Sequence, residues 1–442
     1  MKKIADDQRI WRLFAVFAIA MLARAVYLLS IRHAPFFDHL VTEPARYDAW
    51  ARDIVRGVAP VRPPFDEGPA YPYFVALVYA IAGHNVFAVT TLQALMDAGS
   101  CVLVAATAER MSGARAAWIA GVLAALYGPM IYFTGQLEPA TMTVFVTSLA
   151  LFLTPVRSAT RLDWIVCGAM WAIAMLVRSE MILALPIVFF HAWRIERREA
   201  LVATTAAPAI GLLVITLAIN AASSGHAVLL TTGGGVNFWI GNNAHADGVN
   251  PFLEGGPMRQ VAHEIERQTS DAVVADGLFR DRGLSFIAHE PARAFALFAK
   301  KALWLFSDRE LPNAMDIERQ ERASFLFALP IFPLRFGMVF PLALAGIVTR
   351  GKKIPAHLFA PIAIAFVVAV VFFTCARFRM VMSPALFVFA AFAFDSKLLH
   401  WKKIVAAVLG AFLAFANIGD VRGYRIKEID ELMQTLYIAR GG

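Results

Sequence analysis

Long apolar runs and short polar loops alternate along most of this chain. Runs close to the length of a membrane-crossing helix lie at 10–31, 86–108, 116–133, 139–155, 163–178, 181–194, 201–220, 332–349, 355–375, 380–396 and 403–419. A helix needs about 20 apolar residues to cross the hydrocarbon core. The pattern predicts an all-α polytopic membrane protein with about eleven spans. Two stretches interrupt the alternation. Pro35–Pro72 is polar and proline-rich and carries Asp38, Glu43, Asp48, Asp53, Asp66 and Glu67. The second is 221–330, where 231–248 is rich in Gly and Asn and reads as turns and short strands, and 258–289 has helical spacing. In 290–312, Phe295, Phe298, Ala302 and Leu305 recur at helical spacing, which suits a helix on the membrane surface.

Composition agrees with this class. Of 442 residues 59% are hydrophobic and 17% charged, and 35 Phe and 9 Trp exceed what one water-soluble core uses. The net charge of +8 sits in short loops, so it orients a membrane protein and is not a nucleic-acid signal. Cys101, Cys167 and Cys375 are isolated in apolar runs and read as small hydrophobes. The first run lacks a clean cleavage site and is expected to be an uncleaved span.

Basic clusters set the expected orientation. They are Arg110/Arg115, Arg157/Arg161, Arg194/Arg197/Arg198, Arg350/Lys352/Lys353 and Lys397/Lys402/Lys403. Placing all of them in the cytoplasm pairs the spans, with the N-terminus inside and the C-terminal tail outside. Tyr71–Gly83 is then too short and wrongly placed for a span, which makes it a juxtamembrane helix. The external segments become 32–85, 134–139, 178–180, 221–330 and 375–379. The expected organisation is an N-terminal transmembrane module at 1–220 whose first external loop is 32–85. A large external loop with an amphipathic helix follows at 221–330, then C-terminal helices and tail at 331–442.

The candidate chemistry falls on that external side. Glu43 stands near the start of a helical stretch, 45–55, where it either caps the helix or accepts a proton from a hydroxyl. Glu138 precedes Pro139 in the next external loop, and Glu67 precedes Gly68-Pro69. Asp48 and Asp53 are expected to face water. Arg377 and Arg379 diverge on a helix but share a face in an extended turn, where planar guanidinium groups suit a phosphate. Lys300 or Lys301 adds a point charge.

The runs YDAWARDIVRG (47–57), GPAYPYFVALVYAIAG (68–83), YFTGQLEPAT (132–141), NFWIGNNAHADG (237–248), KKALWLFSDRELPN (300–313) and ARFRMVMSPALFVFAAFA (376–393) resemble, in order, the bacterial glycosyltransferase family 39-like proteins. These are polyprenyl-phosphate-sugar-dependent enzymes of the GT-C fold, related to protein O-mannosyltransferases and lipid A aminoarabinose transferases. The resemblance implies that Glu43 stands at the catalytic base position, where many relatives carry Asp, with Asp38 in reserve. It implies that Glu138 is the second acid and that Glu67 and Tyr71 line the donor site. It also implies that Arg178 and the pair Arg377 and Arg379 serve the lipid phosphate. Gly68 stands where relatives often have a basic residue, which moves phosphate binding elsewhere. The implied reaction is inverting transfer from a polyprenyl-phosphate sugar to an external glycan, lipid or protein acceptor, at the periplasmic face of a bacterial inner membrane, among membrane lipids. Two carboxylates can hold a divalent cation, but no metal or other cofactor is expected. The competing expectation is a transporter or flippase, since charges near spans also mark transport paths. Against it, matching halves and paired broken spans are not evident.

Overall fold

The computed structural model describes residues 2–34, 37, 39–58, 65–249, 256–311, 324–329, 333–394 and 400–416. Asp38, most of the proline cluster and the C-terminal tail lie outside the described residues. The described residues are helical, with one isolated bridge and no strand. In chain order the helices are α1 Lys2–Ile31, α2 Thr42–Val55, α3 Ala70–Ala82, α4 Val86–Ser112, α5 Ala114–Ala125, α6 Gly128–Thr134, α7 Ala140–Leu153, α8 Arg161–Val177, α9 Ala184–Glu196 and α10 Glu199–Ser224. They continue as α11 Gly234–Gly241, α12 Gly256–Gln268, α13 Ala272–His289, α14 Pro291–Leu305, α15 Phe336–Arg350, α16 Ala360–Val371, α17 Ala376–Arg379, α18 Ser383–Phe392 and α19 His400–Phe415.

The all-α expectation holds, and helices occupy each run read as a span. Among the described residues three are long and apolar enough to cross a membrane: Asp6–Ile31, Val86–Ser112 and Glu199–Ser224. The chain is therefore a membrane protein. One local expectation is corrected. The 231–248 stretch holds helix α11, not short strands. Two of its glycines serve close packing: a Cβ would lie 1.9 Å from the Asp276 carbonyl oxygen at Gly235 and 1.6 Å from the Phe372 carbonyl oxygen at Gly241. In α14 the face buried in protein is Ala294, Leu297, Lys301, Trp304 and Leu305, while Phe295 of the stripe expected at the membrane surface is 73% exposed.

The run 116–133 is broken at Leu126-Tyr127 into α5 and α6. The break pairs with the chain before α15, through Gly128 N–H to Leu334 O at 2.8 Å and Leu334 N–H to Leu126 O at 2.9 Å. The freed carbonyls at the end of α5 find Arg24 of α1. Its guanidinium donates to the Ala125 and Ala124 carbonyls and pairs with Asp97 of α4 at 2.6 Å, all fully buried. A charge in mid-span is thus satisfied by an opposite charge and by the carbonyls of a helix end.

Helix ends sort into two sets. At one end of the bundle Arg9 and Arg12 of α1 pair with Glu109 of α4 at 3.0 and 3.2 Å. There Arg110 reaches the end of α7 at the Phe152 carbonyl, and Arg350 of α15 reaches Met111 O at 2.6 Å. These are members of the basic clusters. At the other end the five segments read as external converge. Thr232 and Gly233 N–H bond the carbonyls of Phe65 and Asp66 at 2.8 and 3.2 Å, and Thr231 bonds Ser179 at 3.1 Å. The segment Phe372–Ala376 is held at this end by Thr374 N–H to Gly248 O and Ala376 N–H to Leu311 O. Helix α3 packs with α2 and the start of α4 in a small apolar cluster, separate from the main core.

Candidate active site

Glu43 is in the first turn of α2, yet no side chain caps that helix. Its carboxylate instead forms a two-pronged ion pair with Arg377 of α17, Nη2 to Oε1 at 3.2 Å and Nη1 to Oε2 shorter still. The residue before it, Thr42, has φ +55°. A β-branched residue in that region is strained by about 1–3 kcal/mol, and such strain concentrates at functional sites.

Glu138 approaches the same guanidinium from the loop before α7. Its Oε2 lies 3.9 Å from Arg377 Nη1, and the residue is 5% exposed. Among the described residues neither Glu138 Oε2 nor Arg377 Nε, both buried, has a hydrogen-bond partner. A buried donor and acceptor left without partners side by side are what an incoming polar substrate group would satisfy. Burial pushes the Glu138 carboxyl up to about 7; Arg377 opposes the shift, and Glu43 and Glu67 add to it.

Glu67 completes the acidic group. It accepts from Arg46 and from the Tyr47 hydroxyl, both on α2. Burial raises its pKa, but Arg46, Arg377 and the Tyr47 hydrogen bond outweigh that and leave it below the ordinary value. Positions 43, 46 and 47 share one face of α2, so the i, i+3, i+4 spacing was the available signal for Arg46 and Tyr47. The sequence reading named neither for this site. Gly68 also finds its reason, because a Cβ there would lie 2.3 Å from the Val177 carbonyl oxygen. No larger residue fits where the Glu67 loop crosses the end of α8.

The remaining named residues divide. Tyr71 is fully buried, edge-on to Tyr47 at 5.0 Å, and its hydroxyl donates to Gln93 at 2.7 Å. Gln93 in turn donates to the Thr134 and Gln136 carbonyls at 3.0 and 2.8 Å, pinning the loop that carries Glu138. Tyr71 thus acts on the cluster through Gln93. Arg178 caps the end of α8, pairs with Glu180 and stacks 5.0 Å over Phe378, next to Arg377.

Arg379 does not join the cluster. Residues 376–379 are helical, so the two arginines diverge. Arg379 instead binds Glu310 at 2.6 Å and the carbonyls of Ser307 and Arg309. Lys301 is likewise engaged elsewhere. Its ammonium is fully buried among Gly241 O, Asn242 Oδ1 and Phe372 O at 3.1, 3.1 and 2.8 Å, and burial lowers its pKa to about 7. Lys300 lies 4.4 Å over the Trp304 ring. The expected extended turn is therefore corrected in geometry, and Lys301 is engaged away from the carboxylate cluster. Asp48 is corrected too. It is buried, accepts from Tyr79 at 2.7 Å, and contacts His84 and Arg52 at 2.7 and 2.9 Å, tying α2 to α3.

Three carboxylates and a central arginine, gathered at one end of an all-α membrane bundle, define the class of site. Sequence comparison points the same way for part of the chain. Residues 66–223 match the family described as dolichyl-phosphate-mannose-protein mannosyltransferase. No curated protein matches in sequence. Among solved structures, the chain is similar to the oligosaccharyltransferase of Archaeoglobus fulgidus tethered with an acceptor peptide. The TM-score is 0.48 and the identity 15%, over 96% of this chain and 55% of that one. It is similar to AglB of the same organism in complex with an inhibitory peptide and a dolichol-phosphate, at TM-score 0.45 and 13% identity over 92% and 55%. ArnT from Cupriavidus metallidurans bound to undecaprenyl phosphate gives 0.38 and 13% over 85% and 77%. The chain spans about 55% of the oligosaccharyltransferase's length.

Proposed function

We propose that this protein is a GT-C glycosyltransferase that moves a sugar from a polyprenyl-phosphate donor to an acceptor hydroxyl or phosphate on the external, periplasmic face of a bacterial inner membrane. The observation that carries the reading is the meeting of Glu43, Glu67 and Glu138, from two separate loops, around Arg377. The matched family segment supports it, since it includes Glu67 and Glu138. On this reading the chain has about eleven spans, with its N-terminus in the cytoplasm. It divides into a module at 1–220, an external loop at 221–330 and a C-terminal part at 331–442.

The chemistry runs by direct displacement. Glu43 takes the proton of the acceptor hydroxyl. The freed oxygen attacks the anomeric carbon from the face opposite the phosphate. The bond from that carbon to the phosphate oxygen breaks, its electron pair stays on the phosphate, and the sugar is inverted. Arg377 faces the oxygen where charge develops, the arrangement that lowers such barriers most. Arg178 adds positive charge beside it. Arg379 and Lys301 hold the external segments together.

A transporter reading would draw on the buried Arg24–Asp97 pair. That guanidinium is spent on closing the break between α5 and α6, so glycosyl transfer is preferred. The test is to give purified protein a set of polyprenyl-phosphate sugars and follow release of the lipid phosphate. Donor consumption that stops in Glu43→Gln supports the proposal. Full turnover in that variant removes Glu43 as base, and failure with every donor removes the reaction.

A further inference from the structure

At the opposite end of the bundle, α9 and α10 meet in a tight turn whose pivot, Arg197, has φ +53°. Between the helices lies a cavity of about 530 Å³ lined by Phe189, Phe190 and Trp193 of α9 and Glu199, Val202 and Ala203 of α10. Phe190 and Trp193 are 51% and 43% exposed. Only 17% of the apolar window of α10 is covered by protein, so the groove opens toward lipid. Its rim is basic. Arg194 lies 5.9 Å over the Phe190 ring, Arg197 lies 4.6 Å over Trp193, and Arg198 follows. Of the nearby acids, Glu196 turns away to bind Ser158, the Ala159 N–H and the Trp164 indole, while Glu199 stays at the groove. Two guanidinium groups therefore stack on the aromatic rings of the apolar slot, whose lining holds one carboxylate, Glu199.

We propose that this groove is a binding site for an anionic glycerophospholipid of the surrounding bilayer. One acyl chain lies along Phe189, Val202 and Ala203. The phosphate sits on Arg194 and Arg197, whose planar forks match it. Trp193 lies at the headgroup level, where indoles anchor membrane proteins. The site is independent of the carboxylate cluster and does not rest on the proposed reaction. A uniform annulus of lipid is the competing account, and it shows no headgroup preference.

The test is native mass spectrometry of the full chain in detergent. Phosphatidylglycerol and phosphatidylcholine with identical chains are offered at equal concentration. Each basic residue near an anionic headgroup contributes about fivefold, so two arginines give roughly a 25-fold preference for phosphatidylglycerol. Arg194→Gln with Arg197→Gln removes that preference. Arg194→Lys with Arg197→Lys keeps part of it and controls for folding. Ala203→Trp fills the slot and lowers retention of both lipids with the charges intact. Equal retention of the two lipids by the unaltered protein overturns the proposal. So does undiminished preference in the double Gln variant, or unchanged retention in Ala203→Trp.

Discussion

Replacing Glu43 by Gln is expected to stop turnover and, at the same time, to tighten binding of the bare polyprenyl phosphate. The reason is the ion pair with Arg377. If Arg377 receives the lipid phosphate, the donor must take it from Glu43. The pair joins a guanidinium 8% exposed to a carboxylate 24% exposed. A charge-assisted contact of this kind is worth about 1.5–3 kcal/mol, and partial exposure favours the lower end. Removing the competitor should therefore tighten the phosphate by about tenfold or somewhat more. Removing any nearby negative charge also helps an anion, so Glu67→Gln is the control. Its carboxylate is held by Arg46 and Tyr47, and its loss should tighten binding less. Thermophoresis with undecaprenyl phosphate in detergent reads both variants. Equal or weaker binding in Glu43→Gln, or as large a gain in Glu67→Gln, would refute the competition. On the proposed mechanism, the same exchange would free Glu43 to act as a base only once the phosphate has arrived.

Three further outcomes follow from the geometry. Arg24→Leu leaves Asp97 buried without its partner and should cost about 3–5 kcal/mol, whereas Arg24→Leu with Asp97→Leu recovers much of it. A thiol-reactive dye can follow the melt, because Cys101, Cys167 and Cys375 are all buried; equal melts for the single and double variants would contradict the pairing. Glu138 is raised from the ordinary 4.5 to about 7, so between those values the folded state binds more protons than the unfolded one. Stability should fall as pH rises across that window, by on the order of 3 kcal/mol in all. In Glu138→Gln the melting temperature should lose most of that slope, and an unchanged slope would place the titration elsewhere. Finally, the proposed displacement draws its positive charge from arginine side chains, so exhaustive dialysis against a chelator should leave turnover intact. Loss restored by a divalent cation would show that a metal serves the carboxylates.

Much of the architecture could be read from the sequence, because a bilayer imposes a coarse code of apolar length and basic loops. That code grouped the basic clusters and the polar segments that the structure finds at opposite ends of the bundle, and it marked 71–83, which holds α3, as a short helix. It could not say which polar groups meet. Glu43 and Arg377 are far apart in the chain, and their pairing depends on how α17 is held at Phe372–Ala376. Lys301 and Asp48 show the limit most clearly. Each looked like a surface charge, and each is buried where it ties two helices together. Residue type and local spacing are the same for a lysine that meets a phosphate and one that meets three carbonyl groups. The helix at 234–241 was hidden for a related reason. Its glycines argued for turns, but Gly241 lets α11 approach the end of α16 and Gly235 lets it approach α13.

Arg24 also bears on how the protein is made. The first span emerges with a guanidinium near its middle, and an arginine at that depth costs about 2.5–3.5 kcal/mol on insertion scales. Its partners, Asp97 and the carbonyls of Ala124 and Ala125, are synthesised some 70 to 100 residues later. Until α4 and α5 arrive, the arginine of α1 lacks these partners. Stable placement of the first helix is therefore expected to depend on α4 and α5, because a buried arginine without its partner is strongly destabilising.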